Sequence, residues 1–335
     1  MRQSAIGLSD STWNPFRGCK PVSAGCENCW AERMAGRYAK KGQTYYQIAK
    51  LVKDRPTWTG KVLLTEDKLY DPLEWSELEE RNGGLKARSV LVGTMTDIFY
   101  SKVPDAWRDH LFGVIALCGF YTFQIQTKYA AEMQAYFAAP NIWKRIERES
   151  RAIFRKRYHK PHPSKGHLVG PLQNTWLGVS VENQKTADER CSILLKTPAA
   201  LRFVAAEPLI DRISLRPFLK GRNRLRWVIA GGESGFDARP ANPQWVRALR
   251  DEAKASECPF FLHQWGAWLP CSSDDLKTHG GPNSVIYVWP HGEISVNLQK
   301  SDMKTMMADG VFLDGVEWNQ MPKTSWTDKE NQTVK

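Results

Sequence analysis

Hydrophobic positions along this chain follow two alternating patterns. Short apolar runs are separated by longer stretches in which apolar side chains recur at helical spacing. The runs cover residues 90–94, 122–127, 175–181, 201–206, 227–232 and 259–263, with a weaker one near residues 4–8. Helical patterns cover residues 29–41, 104–118, 186–196 and 243–256, and a further, increasingly charged one follows residue 127. Strands alternating with amphipathic helices predict βα units and a parallel sheet. The 25–50 residues per unit suit a barrel or partial barrel better than a doubly wound sheet.

Nearly every apolar run ends in polar residues. The second ends at Thr94-Met95-Thr96-Asp97 and the third at Gln126-Thr127-Lys128. The fourth ends at Ser180-Val181-Glu182-Asn183, the fifth at Glu207, the sixth at Gly231-Gly232-Glu233-Ser234 and the seventh at His263-Gln264. In a parallel barrel these ends converge on one face, where barrel active sites lie. The last part of the chain changes character. Residues 285–296 read as a β-hairpin turning at 290–293, a short helix is expected at 301–308, and the tail from Lys323 is polar. The expected organisation is a barrel over residues 1–269 and a small α+β appendage over 270–335.

Composition narrows the class. The 335 residues are 42% hydrophobic and include 14 Trp, enough for a large core and incompatible with wholesale disorder. No run of about 18 apolar residues exists to span a membrane. Residues 1–5 lack an apolar signal segment, so a cytoplasmic protein is expected. The net charge is +11, and residues 144–167 hold nine Lys/Arg against two acids. Arg155, Lys156, Arg157 and Lys160 lie in this insertion, which mixes cations with Tyr158 and histidines as phosphate-backbone contacts do. A merely solvated insertion is the competing explanation. His159, His162 and His167 have spacings that are weak grounds for a metal site.

The seven cysteines are unevenly spread. Cys118, Cys191, Cys258 and Cys271 stand singly and suit core packing. Cys19, Cys26 and Cys29 form C-x6-C-x2-C around a compact loop containing Gly18, Pro21, Ser23, Ala24 and Gly25. An odd total argues against a disulfide framework. Three thiols leave a four-coordinate zinc or a cubane cluster one ligand short. Three explanations stay open: a zinc closed by a distant ligand, a coincidence, and a [4Fe–4S] cluster with one iron open to a non-protein ligand. A helix starting near Trp30 would turn its N-terminus toward bound negative charge.

Several motifs carry a resemblance to a known family. They are Trp13-Asn14-Pro15, Gly18-Cys19, Val22-Ser23-Ala24-Gly25-Cys26-Glu27-Asn28-Cys29-Trp30-Ala31, Asp97-Ile98-Phe99 and Thr127-Lys128. The set continues with Trp176-Leu177-Gly178-Val179-Ser180-Val181-Glu182-Asn183, Ala206-Glu207-Pro208-Leu209, Gly231-Gly232-Glu233-Ser234-Gly235, Ala238-Arg239-Pro240 and Gln264-Trp265-Gly266. Together they resemble the phage-associated gene-product thirty-seven/sixty-eight family, a domain of unknown function. That family in turn resembles radical S-adenosylmethionine (SAM) enzymes, most closely the photoproduct-lyase-like branch. The usual cysteine spacing there is C-x3-C-x2-C, so the six-residue gap is a departure. Tyr129 stands where relatives tend to have Arg, and His263 where they tend to have Lys.

The resemblance implies a partial (β/α) TIM-like barrel holding a [4Fe–4S] cluster on Cys19, Cys26 and Cys29. It implies reductive cleavage of SAM to a 5′-deoxyadenosyl radical, with an electron donor such as flavodoxin or ferredoxin, on an unknown substrate such as nucleic acid or a nucleotide. Thr96 and Asp97 would meet the SAM ammonium, and Ser180, Glu182 and Asn183 the ribose hydroxyls. Gly231 and Gly232 would allow close approach to adenine or substrate. Lys128, Glu207 and Glu233 would position substrate or move protons, although a structural Lys128–Glu207 ion pair is an alternative. Two other functions compete. One is a non-catalytic nucleic-acid-binding protein with structural zinc on the three cysteines. The other is a carboxylate-dependent barrel hydrolase using Glu182, Glu207 and Glu233.

Overall fold

In a computed structural model, which describes residues 7–235, 237–271, 285–288, 294–297 and 311–323, the apolar runs become strands of one seven-stranded sheet. The strands are β1 (Ser11–Trp13), β2 (Arg88–Val92), β3 (Tyr121–Thr127), β4 (Thr175–Ser180), β5 (Leu201–Ala206), β6 (Trp227–Gly231) and β7 (Phe260–Gln264). Their order in the sheet is their order in the chain. Registers run in parallel, as in Ser11↔Val90, Val90↔Phe123, Phe123↔Thr175, Val228↔Val204 and Val228↔Phe260. Each new strand lies beside its predecessor and the winding never reverses. A doubly wound sheet reverses once, whereas a (β/α) barrel does not. The fold is therefore α/β, of the partial TIM-like barrel class expected from the sequence.

One strand differs from the expectation. The first is Ser11–Trp13, not the weak run near residues 4–8. Gly7 and Leu8 form a turn, and residues 4–6 lie outside the described residues. Ser11 and Trp13 point inward, and the buried indole of Trp13 donates to the carbonyl of Lys68 at 2.7 Å. Three residues are too few for a periodic signal to single out.

The chain divides into two compact units: Met1–Val22 with Ala31–Val179 and Lys196–Arg202, and Ser23–Trp30 with Ser180–Leu195 and Phe203–Lys335. The first contains α1 (Trp30–Arg37, from Ala31 onward), α2 (Asp71–Arg81), α3 (Asp105–Leu117), α4 (Ala130–Ala138) and α5 (Ile142–Tyr158). Its core gathers Trp13, Val90, Phe112, Phe123 and Ile125, all nearly sealed from solvent. Burying each such large side chain contributes about 2–3 kcal/mol. A two-stranded hairpin, Ala49–Val52 with Arg55–Trp58, and α2 occupy a stretch whose pattern predicted no element. The basic segment is ordered against its own helix. Arg151 donates to the carbonyls of Ser164 and Gly166, His162 packs edge-on to Phe154, and His167 meets Glu147.

The second unit contains α6 (Gln184–Lys196, to Leu195) and α7 (Pro243–Ala255). All five residues of β6 are buried, which explains its uninterrupted apolar run. Asn242 caps α7 by accepting from the Gln244 amide at 2.8 Å, with Pro243 at the first helical position. Residues 318–320 run along the outer edge of β7. Leu262 donates to Trp318 O at 2.7 Å and Gln320 to Phe260 O at 3.1 Å, so the edge is covered. The expected hairpin strands are present as Val285–Val288 and Ile294–Asn297, antiparallel, and Trp268–Cys271 adds a third. The turn at 290–293, the helix at 301–308 and the tail from 324 lie outside the described residues. Among the described residues no helix is long and apolar enough to cross a membrane.

Candidate functional site

The first unit roots the start of the cysteine loop. Gly18 adopts φ +98°, and a Cβ there would stand 2.1 Å from Lys61 O and 2.6 Å from the Ile48 side chain. Only glycine fits such a place. Its amide donates to Met95 O at 3.2 Å, and the Thr96 hydroxyl donates to Gly18 O at 2.6 Å. Asn14, from the Trp13-Asn14-Pro15 motif, accepts from the Thr94 hydroxyl and the Met95 amide, both at 3.1 Å. On the far side of Cys19, the Tyr129 hydroxyl donates to Lys20 O at 2.9 Å. Cys19 thus lies between two residues pinned to the ends of β2 and β3.

Asp97 braces those same strand ends. Its Oδ1 accepts from the Thr127 hydroxyl at 2.6 Å and the Phe99 amide at 3.0 Å, and its Oδ2 from the Lys128 amide at 2.8 Å. Burial pushes its carboxyl up, and these hydrogen bonds work against that push. Lys128 takes part through its backbone, and its residue is half-buried.

The second unit holds Cys26 and Cys29. Ala24–Cys26 form a single 3-10 turn, and the Cys29 amide donates to Cys26 O at 3.3 Å. Arg239 clamps this turn. Its guanidinium donates to Ala24 O at 2.8 Å, to Glu27 Oε2 at 2.9 Å and to both carboxylate oxygens of Glu233 at 2.6 and 3.0 Å. The Asn28 amide adds bonds to Glu233 Oε2 at 2.9 Å and Asp237 O at 2.7 Å. Burial raises the Glu233 carboxyl, but the bonds from Arg239 and Asn28 outweigh it and hold the group below the usual range.

Glu182 lies against the same turn. A Cβ on Gly25 would come 3.3 Å from its carboxylate. Its Oε2 accepts from Arg190 at 3.0 Å, and Arg190 also donates to Ser180 O at 2.7 Å. Its Oε1 is buried without a hydrogen-bond partner among the described residues. A buried carboxylate oxygen in that condition is costly unless something donates to it. Asn183 acts locally, its Oδ1 accepting from the Thr186 amide at 3.0 Å in the capping bond of α6.

Glu207 and His263 form a further pair in this unit. His263 Nδ1 and Gln264 Nε2 both lie 2.7 Å from Glu207 Oε1. Burial lowers the imidazole, yet the charge and hydrogen bond of Glu207 more than compensate and raise it. Gly231 makes room for Glu207, since a Cβ there would lie 2.7 Å from its carboxyl carbon. At Gly232 a Cβ would lie 2.0 Å from Trp265 O, so both glycines serve close approach within the protein. The sequence marks His263 as a polar strand end and as a departure, and assigns Arg239 and Asn28 no role. Their signal is the Ala238-Arg239-Pro240 and Glu27-Asn28 motifs, which show no partner until the chain has folded.

The thiols separate by environment. Cys19, Cys26 and Cys29 are half-exposed, whereas Cys118, Cys191 and Cys258 are buried. Burial raises the latter three, Cys258 to about 12. Among the described residues no three His, Cys, Asp or Glu side chains are gathered as a ready metal site. In the basic segment Arg155, Lys156 and Lys160 are exposed, while Arg157 is drawn onto Glu77 and over the Tyr70 ring.

Among solved structures, a cysteine-to-serine mutant of spore photoproduct lyase is similar at 10% identity and TM-score 0.41, covering 92% of this chain and 73% of that one. Spore photoproduct lyase complexed with dinucleoside spore photoproduct matches at 9% identity and TM-score 0.38, covering 88% and 69%. A double mutant with bound AdoMet and the dinucleoside matches at 9% identity and TM-score 0.36, covering 89% and 71%. No curated protein matches. A family model described as a protein of unknown function (DUF5131) matches residues 3–322. Nearly the whole chain is spanned, and the protein belongs to the DUF5131 family.

Proposed function

We propose that this protein is a radical SAM-type iron–sulfur enzyme in which Cys19, Cys26 and Cys29 hold a [4Fe–4S] cluster. The observation that carries the proposal is the Oε1 of Glu182, buried beside Gly25 in the loop of Cys26 and Cys29 with no hydrogen-bond partner among the described residues. It fits a polar ligand with hydroxyl or ammonium donors next to that loop, as SAM has. The donor chemistry fits as well: three half-exposed thiols on one short loop, against three buried and inert ones. With SAM bound, such a cluster supplies one-electron cleavage to a 5′-deoxyadenosyl radical.

The chain's own residues prepare the place. Thr96 and Tyr129 fix the backbone on either side of Cys19. Arg239 and Asn28 fix the turn of Cys26 and Cys29 against Glu233. Glu182 accepts a hydrogen bond from SAM, while Asp97 acts as the brace of β2 and β3. Glu207 and His263 supply a proton-transfer pair. The electron donor is a flavodoxin- or ferredoxin-type protein, and the substrate a nucleic acid or nucleotide.

A carboxylate-pair hydrolase is less well supported. Glu182, Glu207 and Glu233 each have a cationic or ionisable partner of their own, in Arg190, His263 and Arg239. Each is thus committed to a partner of its own, whereas such a hydrolase needs two carboxylates acting on one bond. The test is anaerobic purification with metal analysis and SAM turnover. About four irons per chain and 5′-deoxyadenosine after dithionite are expected. One tightly held zinc with no SAM cleavage would overturn the proposal.

A further inference from the structure

A second basic surface lies far from residues 144–167 in sequence. Residues 37–61 hold seven Lys/Arg and one acid, Asp54. They contain the hairpin Ala49–Val52/Arg55–Trp58. Arg37, Lys40, Lys41, Lys50 and Lys53 are exposed and form no ion pair among the described residues. Large apolar groups are exposed among them: Tyr38 at 49%, Tyr46 at 41%, Leu51 at 58% and Val52 at 44%.

The hairpin's base is rigid and its tip is in solvent. Glu32 of α1 accepts from the Trp58 amide at 2.6 Å, and a Cβ on Gly36 would lie 2.4 Å from Pro56. Ile48 and Lys61 close around Gly18, the residue before Cys19. The turn residues Lys53 and Asp54 have φ +49° and +59°. Two left-handed residues make the turn that suits a twisted hairpin, and glycine or asparagine is the easier choice there. A lysine at this place keeps a cation at the tip despite its conformational cost.

We propose that this hairpin, with Tyr38 and Tyr46 at its root, is a docking platform for single-stranded nucleic acid beside the start of the cysteine loop. Unpaired cations meet phosphates, and exposed tyrosine rings stack on bases regardless of sequence. The pairing of cations with exposed aromatic rings favours this partner over an acidic protein, which would offer no flat bases. The surface itself does not depend on a cluster being present.

The test uses the full-length protein, with and without reconstitution, and a fluorescein-labelled oligothymidylate strand read by anisotropy. Lys50→Glu/Lys53→Glu should weaken binding by about tenfold or more and reduce the salt slope by roughly 0.7 for each lost phosphate contact. Tyr46→Ala should weaken binding with the salt slope unchanged. Lys50→Gln/Lys53→Gln provides a milder version should the charge reversal disturb folding, which circular dichroism monitors. Lys156→Glu/Lys160→Glu, in the basic segment, should leave the hairpin-dependent loss intact. Wild-type affinity in the hairpin variants would overturn the proposal. So would binding of an acidic flavodoxin, but not the oligonucleotide, through the same residues.

Discussion

Gly25 and Glu182 are in contact across 157 positions of sequence: a Cβ at residue 25 would stand 3.3 Å from the Glu182 carboxylate. That separation is tight enough that the carboxylate would have to give way by a few tenths of an ångström. Arg190 holds the other side of the group. Gly25→Ala should therefore weaken SAM binding to reconstituted protein by about tenfold while costing only about 1 kcal/mol of stability. Equilibrium dialysis alongside urea unfolding checks both parts, and unchanged SAM affinity would count against Glu182 as a ligand.

Arg239 joins Glu233 to the turn bearing Cys26. The Glu233 side chain is 5% exposed and that of Arg239 29%. Arg239→Ala leaves a buried carboxylate without its cation and should cost about 3 kcal/mol. Adding Glu233→Gln should recover part of that loss, because the stranded charge is then gone. A double-mutant cycle by urea unfolding measures the coupling.

The Glu207–His263 pair sets a pH dependence. His263 is raised above its ordinary value of about 6.5. A raised histidine contributes stability that is full below the unfolded value and is lost as pH rises through the folded one. Stability should accordingly fall as pH rises above about 6.5, and His263→Gln should flatten that portion of the profile. Urea unfolding across the range reads both curves, and parallel curves would exclude the pair as the cause.

Gly18→Ala meets both a left-handed φ and the carbonyl of Lys61. Backbone cannot yield as a flexible side chain does. A loss above about 3 kcal/mol is expected, seen as poor soluble yield and a lowered Tm. Near-wild-type stability would mean that the close approach is relaxed in solution.

Thiol reactivity should divide the cysteines. In the native metal-free protein at pH 8, iodoacetamide should label Cys19, Cys26 and Cys29. Cys118, Cys191 and Cys258, with burial-raised thiols, should react only after unfolding. Peptide mass spectrometry resolves the sites.

What can be read in the sequence is local. The runs that become β2 to β7 are strings of apolar residues whose length and flanking polar groups survive in any context. The half-exposed and buried cysteines are separable by spacing and by apolar neighbours. The hairpin at residues 49–58 gives no such signal because its turn is Lys53-Asp54, without the glycine or asparagine that marks such turns. Helix α2 gives none because only Pro72 and Leu73 of its eleven residues are buried.

The order of βα units, the polar strand ends and the three-cysteine loop are legible before folding, because each depends on neighbours a few residues apart. What those polar ends do is settled only by packing. Asp97 and Asn183 turn inward to brace and cap. Glu182 is left with an oxygen that has no partner among the described residues, and Arg239 reaches back 215 positions to Ala24. A polar residue at a strand end reads the same in the sequence whichever of these roles it takes. Which donors surround it depends on residues that meet only when the chain has folded.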